Sequence, residues 1–224
     1  MITLQATEFL DSGHPVVREF ADRAADGAHE PTDRAVRLYY AVRDRIRYDV
    51  YDADLSRAGL RASAIIGRGA GFCVHKAIAY TAAARALGLP TRIVLTDVRN
   101  HLASGRLRDL AGGDVFTFHS LVSVHLDGRW VRATPVFNKT LCRLYGITPL
   151  EFDGTSDSYY HPYDESGQRH MEFLREHGEY DDFPYDLVVP GLRAAHPKLF
   201  GHADRTVTGS LVNESLVNER THDE

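Results

Sequence analysis

Cysteine is scarce in this chain: two residues, Cys73 and Cys142, in 224. So few cannot staple a small secreted scaffold or build a cysteine-rich zinc centre. Long apolar runs are missing as well. None approaches the ~20 residues that span a bilayer. The opening Met-Ile-Thr-Leu-Gln-Ala-Thr-Glu lacks the basic flank and apolar stretch of a secretory leader. The expectation is a cytoplasmic chain with no membrane partner. An excess of positive charge is also lacking: the net charge is −5. Arginines alternate with acids, as in Arg43-Asp44-Arg45, which is the pattern of a solvated helix face and argues against a nucleic-acid partner. No His-Glu-x-x-His or comparable cluster occurs, so a metal is not expected.

What remains is an ordinary globular composition. Apolar residues make up 43% of the chain, and this length buries a core without crosslinks. Pro15 to about Ala25 reads as a helix. Thr32 is placed to cap a second, Asp33 to Arg47, with Val36, Tyr39, Val42 and Ile46 on one side. Three glycines follow in Gly67-Arg68-Gly69-Ala70-Gly71-Phe72-Cys73. They break regular structure and permit close backbone approach. From Val74 an alanine-rich run predicts a helix to Leu87, stopped by Gly88 and Pro90. Thr91 to Val98 predicts a strand, and Arg99 to Asp114 a loop. Val115 to Leu126 and Arg129 to Phe137 flank Asp127-Gly128, a strong hairpin signal. Residues 139–206 show no long period and read as irregular, with a short helix near His170 to His177. A tandem repeat, Ser210 to Glu214 and Ser215 to Glu219, is too short for a solenoid.

Cys73 therefore falls at a helix N-terminus. Unpaired N–H groups and the helix dipole there favour a thiolate, and the same N–H groups can hold an oxyanion. A thiol nucleophile needs a base, usually histidine. Twelve histidines are present, so position must choose. His119 lies inside the first hairpin strand, sheltered by Leu and Val neighbours. His125 is six residues on, about 20 Å at strand rise, beside the turn and exposed. His101, in the loop, is a candidate lining residue. The third group of such a site orients the base. A two-residue turn pairs Leu126 with Arg129, which sets His119 opposite Val136 with Thr134 and Asn138 as diagonal neighbours. Asn138 is the first choice, because its amide oxygen accepts from a ring N–H; Thr134 is the weaker one. Plainer readings stand beside these: a buried apolar thiol, a core histidine, a turn asparagine.

Together, Gly69-x-Gly71-x-Cys73, the alanine-rich helix, Gly88-Leu89-Pro90-Thr91-Arg92-Ile93-Val94, His119 and Asp127-Gly128-Arg129-Trp130-Val131 resemble the core of the transglutaminase-like superfamily. Ile46-Arg47-Tyr48-Asp49 also fits. The resemblance covers about residues 35–138, and the longer pattern looks like a bacterial branch. It implies an α+β, papain-like fold, with the cysteine at a helix N-terminus packed on an antiparallel sheet that carries the histidine. It implies acyl transfer through a thioester, to water or to an amine, without cofactor. The family's usual third residue is an aspartate, and Thr134 stands in that place. Asn138 then substitutes, or an acid from the extension such as Asp153 reaches in.

The expected division is a helical segment (1–34), the core (35–138), an irregular extension packed on it (139–207) and a tail (208–224) that is free to move or to join a partner. The expected activity is that of a cysteine hydrolase or acyltransferase. It would act on a small-molecule or peptide acyl donor, with an amine as one acceptor. The competing reading is a non-catalytic binding domain of the same fold.

Overall fold

The structure is a computed structural model and describes residues 2–101, 103–158 and 171–200. His170 and the tail from residue 208, with its repeat, lie outside the described residues.

Helix α1 spans Pro15–Ala24 and α2 spans Pro31–Arg45. Each starts with a proline, whose missing N–H costs nothing at the first helical position. In α2 this moves the start ahead of Thr32. Thr32 is therefore not the cap, and its hydroxyl donates to Asp127 Oδ2 at 3.0 Å. Arg47–Tyr48 (β1) then pairs in parallel with Ala70–Gly71 (β2), with Tyr48 opposite Gly71. Between them lies a helix the sequence does not predict, α3 (Ala62–Arg68), closed by Gly69 in the left-handed conformation.

Helix α4 (Cys73–Ala86) is the centre of the molecule. It is buried from Cys73 to Arg85 on every side. Its alanines let α1, α2 and α3 approach on one side while a sheet packs on the other. A helix enclosed in this way carries no amphipathic stripe. Its two buried basic side chains donate to carbonyls. Lys76 Nζ donates to Arg43 O at 2.8 Å and Ile46 O at 2.7 Å, and Arg85 donates to Gln5 O and Thr91 O. Lys76 thereby closes the carbonyl end of α2, where a cation is electrostatically favoured.

The sheet is antiparallel, in the order β5-β4-β3-β6, formed by β3 (Thr91–Asn100), β4 (Val115–Leu126), β5 (Arg129–Ala133) and β6 (Met171–Tyr180). Asp127 and Gly128 both have positive φ, 48° and 81°, as a type I′ hairpin turn requires. Leu126 pairs with Arg129 and Val122 with Ala133, the register read from the sequence. The ladder stops there, short of the predicted Phe137. Pro135, two residues on, has no N–H to give a ladder. The pairing of His119 with Val136 read from the sequence is therefore not part of the ladder.

Three further differences concern connections. The 99–114 loop contains helix α5 (Gly105–Ala111), capped by Ser104 Oγ. The extension contains α6 (Lys139–Leu144), α7 (Tyr185–Ala195) and α8 (Pro197–Phe200). Met171–Tyr180 is the fourth strand of the sheet, where the sequence predicts a helix.

Candidate active site

Cys73 opens α4. The approach is tight: a Cβ on Gly71 would sit 2.5 Å from His75 Cβ, so glycine is required for β2 to lie against the helix. Phe72 precedes the helix in extended conformation and provides no side-chain cap. The first N–H groups of α4 are thus left for the cysteine. The backbone N–H groups of Ser120, Val74 and Cys73 act on the sulfur in the direction that favours its thiolate. Ser120 is the residue after His119, so the helix N-terminus and β4 both bear on the thiol.

His119 is placed by a bulge. On β3, Thr96 pairs with His119 and Val98 with Phe116. One residue, Asp97, thus stands against two, Thr117 and Phe118. Phe118 takes φ 57°, a left-handed conformation that is costly for a bulky side chain. Asp97 Oδ1 accepts the Phe118 N–H at 3.1 Å. The Thr96 hydroxyl donates to the His119 carbonyl at 3.3 Å.

Cys73 and His119 line one cleft, of about 870 Å³ including its mouth. In sites of this kind the bond between thiol and imidazole often tightens only when substrate is bound. Both groups are nearly closed off from solvent, at 7% and 5% exposure. Burial pushes the Cys73 thiol up to about 11 despite these three N–H groups, and pushes the His119 imidazole down to about 4. This corrects the expectation from the helix N-terminus: desolvation outweighs the dipole, and the resting pair is neutral. Cys142 lines the same cleft, and burial likewise pushes its thiol up to about 11.

A model of the transglutaminase-like superfamily matches residues 18–135, more than half of the chain. The chain belongs to the transglutaminase-like superfamily. At a coarse level this places it among thiol-dependent enzymes, and its helices and antiparallel sheet form the α+β fold of that group. No curated protein matches it. Among solved structures it is similar to a candidate cysteine protease from Cytophaga hutchinsonii, with 13% identity and a TM-score of 0.46. The similarity covers 80% of this chain and 53% of that one, so the chain spans about half of that protein's length.

In this member of the superfamily the expected third residue is not at the histidine. Asn138 sits at the start of α6, and its amide is fully used elsewhere. Its Nδ2 donates to the carbonyls of Arg43 and Ile46, and its Oδ1 accepts the Tyr48 N–H. The physical reason is the early end of β5: the chain leaves the ladder before Asn138 can sit diagonally to His119. Thr134 donates its hydroxyl to Ser158 O at 3.0 Å. Asp153 accepts from the N–H groups of Thr155 and Ser156 in a surface turn. His101 lies 3.5 Å from Glu172 Oε2 and does not line the cleft. His125 is half-buried against Trp130, near the turn.

Tyr48 is a neighbour of the thiol that sequence reasoning did not place in the site. It lines the cleft, and its phenol is pushed well above its usual range by burial and by the nearby Cys73. The signal was its place in a strand that pairs with the Gly71 approach. Among the described residues, no group of three or more His, Cys, Asp or Glu side chains can hold a metal ion. No described helix is long and apolar enough to cross a membrane.

Proposed function

We propose that the protein is an acyl-transfer enzyme in which Cys73 is the nucleophile and His119 its base. One observation carries this reading: Cys73, at the first position of α4, and His119 line the same cleft.

Because the resting pair is neutral, the base works during attack rather than before it. Sγ adds to the carbonyl carbon of an amide or thioester as its proton passes to His119. The carbonyl oxygen becomes an oxyanion, for which the N–H groups at the start of α4 are the available donors. When the tetrahedral centre collapses, the bond to the amine or thiol leaving group breaks, and that group takes the proton from His119. A Cys73 thioester remains. Water or an amine then attacks it, losing a proton to His119, and the released thiolate recovers that proton. Both acceptors use the same intermediate, so access of water decides between hydrolysis and transfer. A nucleophilic thiol beside the free Cys142 suits a reducing compartment such as the cytoplasm.

The test is intact-mass detection of an acyl adduct after incubation with activated esters, thioesters and amides, followed by peptide mapping. The adduct should map to Cys73, vanish in Cys73→Ala and form at least tenfold more slowly in His119→Ala. An adduct at Cys142, or equal rates in His119→Ala, would sink the reading. The position of the missing aspartate, occupied by Thr134, favours a second reading, a binding domain without turnover. Saturable ligand binding with no adduct and no product would establish that alternative.

A further inference from the structure

The walls of the cleft say what it accepts. Among the described residues, none that lines it is Asp, Glu, Lys or Arg. The wall is formed by side chains such as Val50, Phe72, Leu107, Met171, Leu192 and Leu199. A fixed charge on a ligand would lose its water against these side chains and meet no counter-charge among them, which is strongly unfavourable.

His196, a polar residue on the wall, does little to change this. His196 uses both ring nitrogens on backbone groups: Nδ1–H donates to Ala111 O at 2.8 Å, and Nε2 accepts the Thr117 N–H at 3.1 Å. It therefore offers the cleft little beyond ring carbon. Phe200 continues the surface, stacked on Phe72 at 5.3 Å and edge-on to His196 at 6.2 Å. Phe72 is the residue before Cys73, so the aromatic wall runs to the nucleophile itself.

Much of this wall lies beyond the superfamily match, which ends at residue 135. Leu141 and Ile147, Met171 of β6, and Leu192, Leu199 and Phe200 of α7–α8 all come from the extension. The matched core supplies the thiol and the imidazole, and the extension shapes the space beside them.

From this we infer that the cleft selects acyl donors whose acyl part is uncharged and apolar, a medium-chain alkyl or arylalkyl group. That group lies along the Phe72–Phe200 wall with its carbonyl at Cys73. Short polar acyl groups and charged ones are excluded. The inference rests on the acyl-transfer reading and names the substrate class of that site.

The test is a series of p-nitrophenyl esters, acetate through octanoate, with the hemisuccinate ester as the charged member. Acylation of Cys73 should speed up roughly two- to fourfold per methylene until the cleft is filled. The hemisuccinate should be slowest. Leu199→Phe, which narrows the cleft, should move the optimum to shorter chains. In parallel, calorimetry measures octanamide and acetamide binding to Cys73→Ala, where octanamide should bind at least tenfold tighter. A flat series, or preference for acetate or hemisuccinate while Cys73 is acylated, overturns the apolar selectivity and leaves the acyl-enzyme standing. Tight octanamide binding with no acylation of wild-type Cys73 by any ester does the reverse. Neither binding nor acylation overturns both.

Discussion

Asp97 Oδ1 lies 2.7 Å from His177 Nε2 while accepting the Phe118 N–H at 3.1 Å. One carboxylate oxygen thus ties β6 to the bulge that immediately precedes His119. The Phe118 ring lies 4.6 Å from that of His177, and Gly191 of α7 leaves room for it: a Cβ there would fall 2.2 Å from Phe118 Cε2. The left-handed residue before the base is therefore held by a hydrogen bond and by packing. Removing the bond should release it. Asp97→Ala is expected to lower stability by about 1–3 kcal/mol, through loss of hydrogen bonds to a charged group. It should slow Cys73 acylation about tenfold or more as His119 loses its placement. Asp97→Asn retains an acceptor oxygen and should recover most of the rate. Unchanged acylation in folded Asp97→Ala would show that the bulge does not position the imidazole.

Asn138 should prove a structural residue. Asn138→Ala strips one donor from the carbonyls of Arg43 and Ile46 and the acceptor from the Tyr48 N–H. Lys76 still serves both carbonyls, so the expected loss is moderate, about 1–3 kcal/mol. Urea unfolding measures it. The pH dependence of acylation in the folded variant should keep its wild-type shape. A changed pH profile at wild-type stability would restore Asn138 as a partner of the histidine.

Acid should destabilise the fold through its buried imidazoles. His119 and His75 both have folded values pushed down to about 4 by burial, against an ordinary value near ~6.5. The unfolded chain binds their protons first. Their contribution is complete above pH ~6.5 and is lost as pH falls toward 4, on the order of 3 kcal/mol at most for each. His119→Gln should show a smaller drop in urea midpoint between pH 7 and 4.5 than wild type. Parallel curves would contradict the burial of a neutral His119.

Cys73 shifts in the opposite sense. Its folded value is raised to about 11, so its contribution to stability is intact below the free thiol's ~8.5 and lost as pH rises through 11. Reactivity follows the same group. The rate of iodoacetamide labelling at Cys73 should climb through pH 9 without a plateau. A plateau below pH 8 would mean that the helix N-terminus, not desolvation, controls the thiol.

The Gly71 approach should tolerate no side chain. In Gly71→Ala the added methyl would meet the Cβ of His75, an atom that cannot swing aside. The expected cost is about 1–3 kcal/mol, with slower acylation because Cys73 shifts with the helix start. Wild-type stability in this variant would refute the close packing of β2 on α4.

The parts legible in the sequence are those whose signals are local. Asp127-Gly128 gave the hairpin and its register, and the alanine run between two glycine breaks gave α4. Both follow from backbone preferences of neighbouring residues. Met171–Tyr180 was not legible. Its Met-Glu-Phe-Leu-Arg-Glu composition favours a helix, but as an edge strand beside β3 it is held by a partner more than 70 residues away, and tertiary pairing overrides propensity. The third-residue assignment failed because a correct register was extended past Pro135, where the ladder had already ended. One part of the cleft wall was illegible for another reason: it comes from β6, α7 and α8, and no periodicity within any of these elements marks a surface shared with Cys73.

The last carbonyls of α2 are held from two directions, by Lys76 from within the superfamily-matched stretch and by Asn138 from beyond it. The recognisable core is therefore not a detachable module. A polypeptide ending at residue 135 would leave the Tyr48 N–H without its acceptor and the end of α2 closed by one ammonium alone. A C-terminal half of different sequence would have to deliver an amide to that same spot.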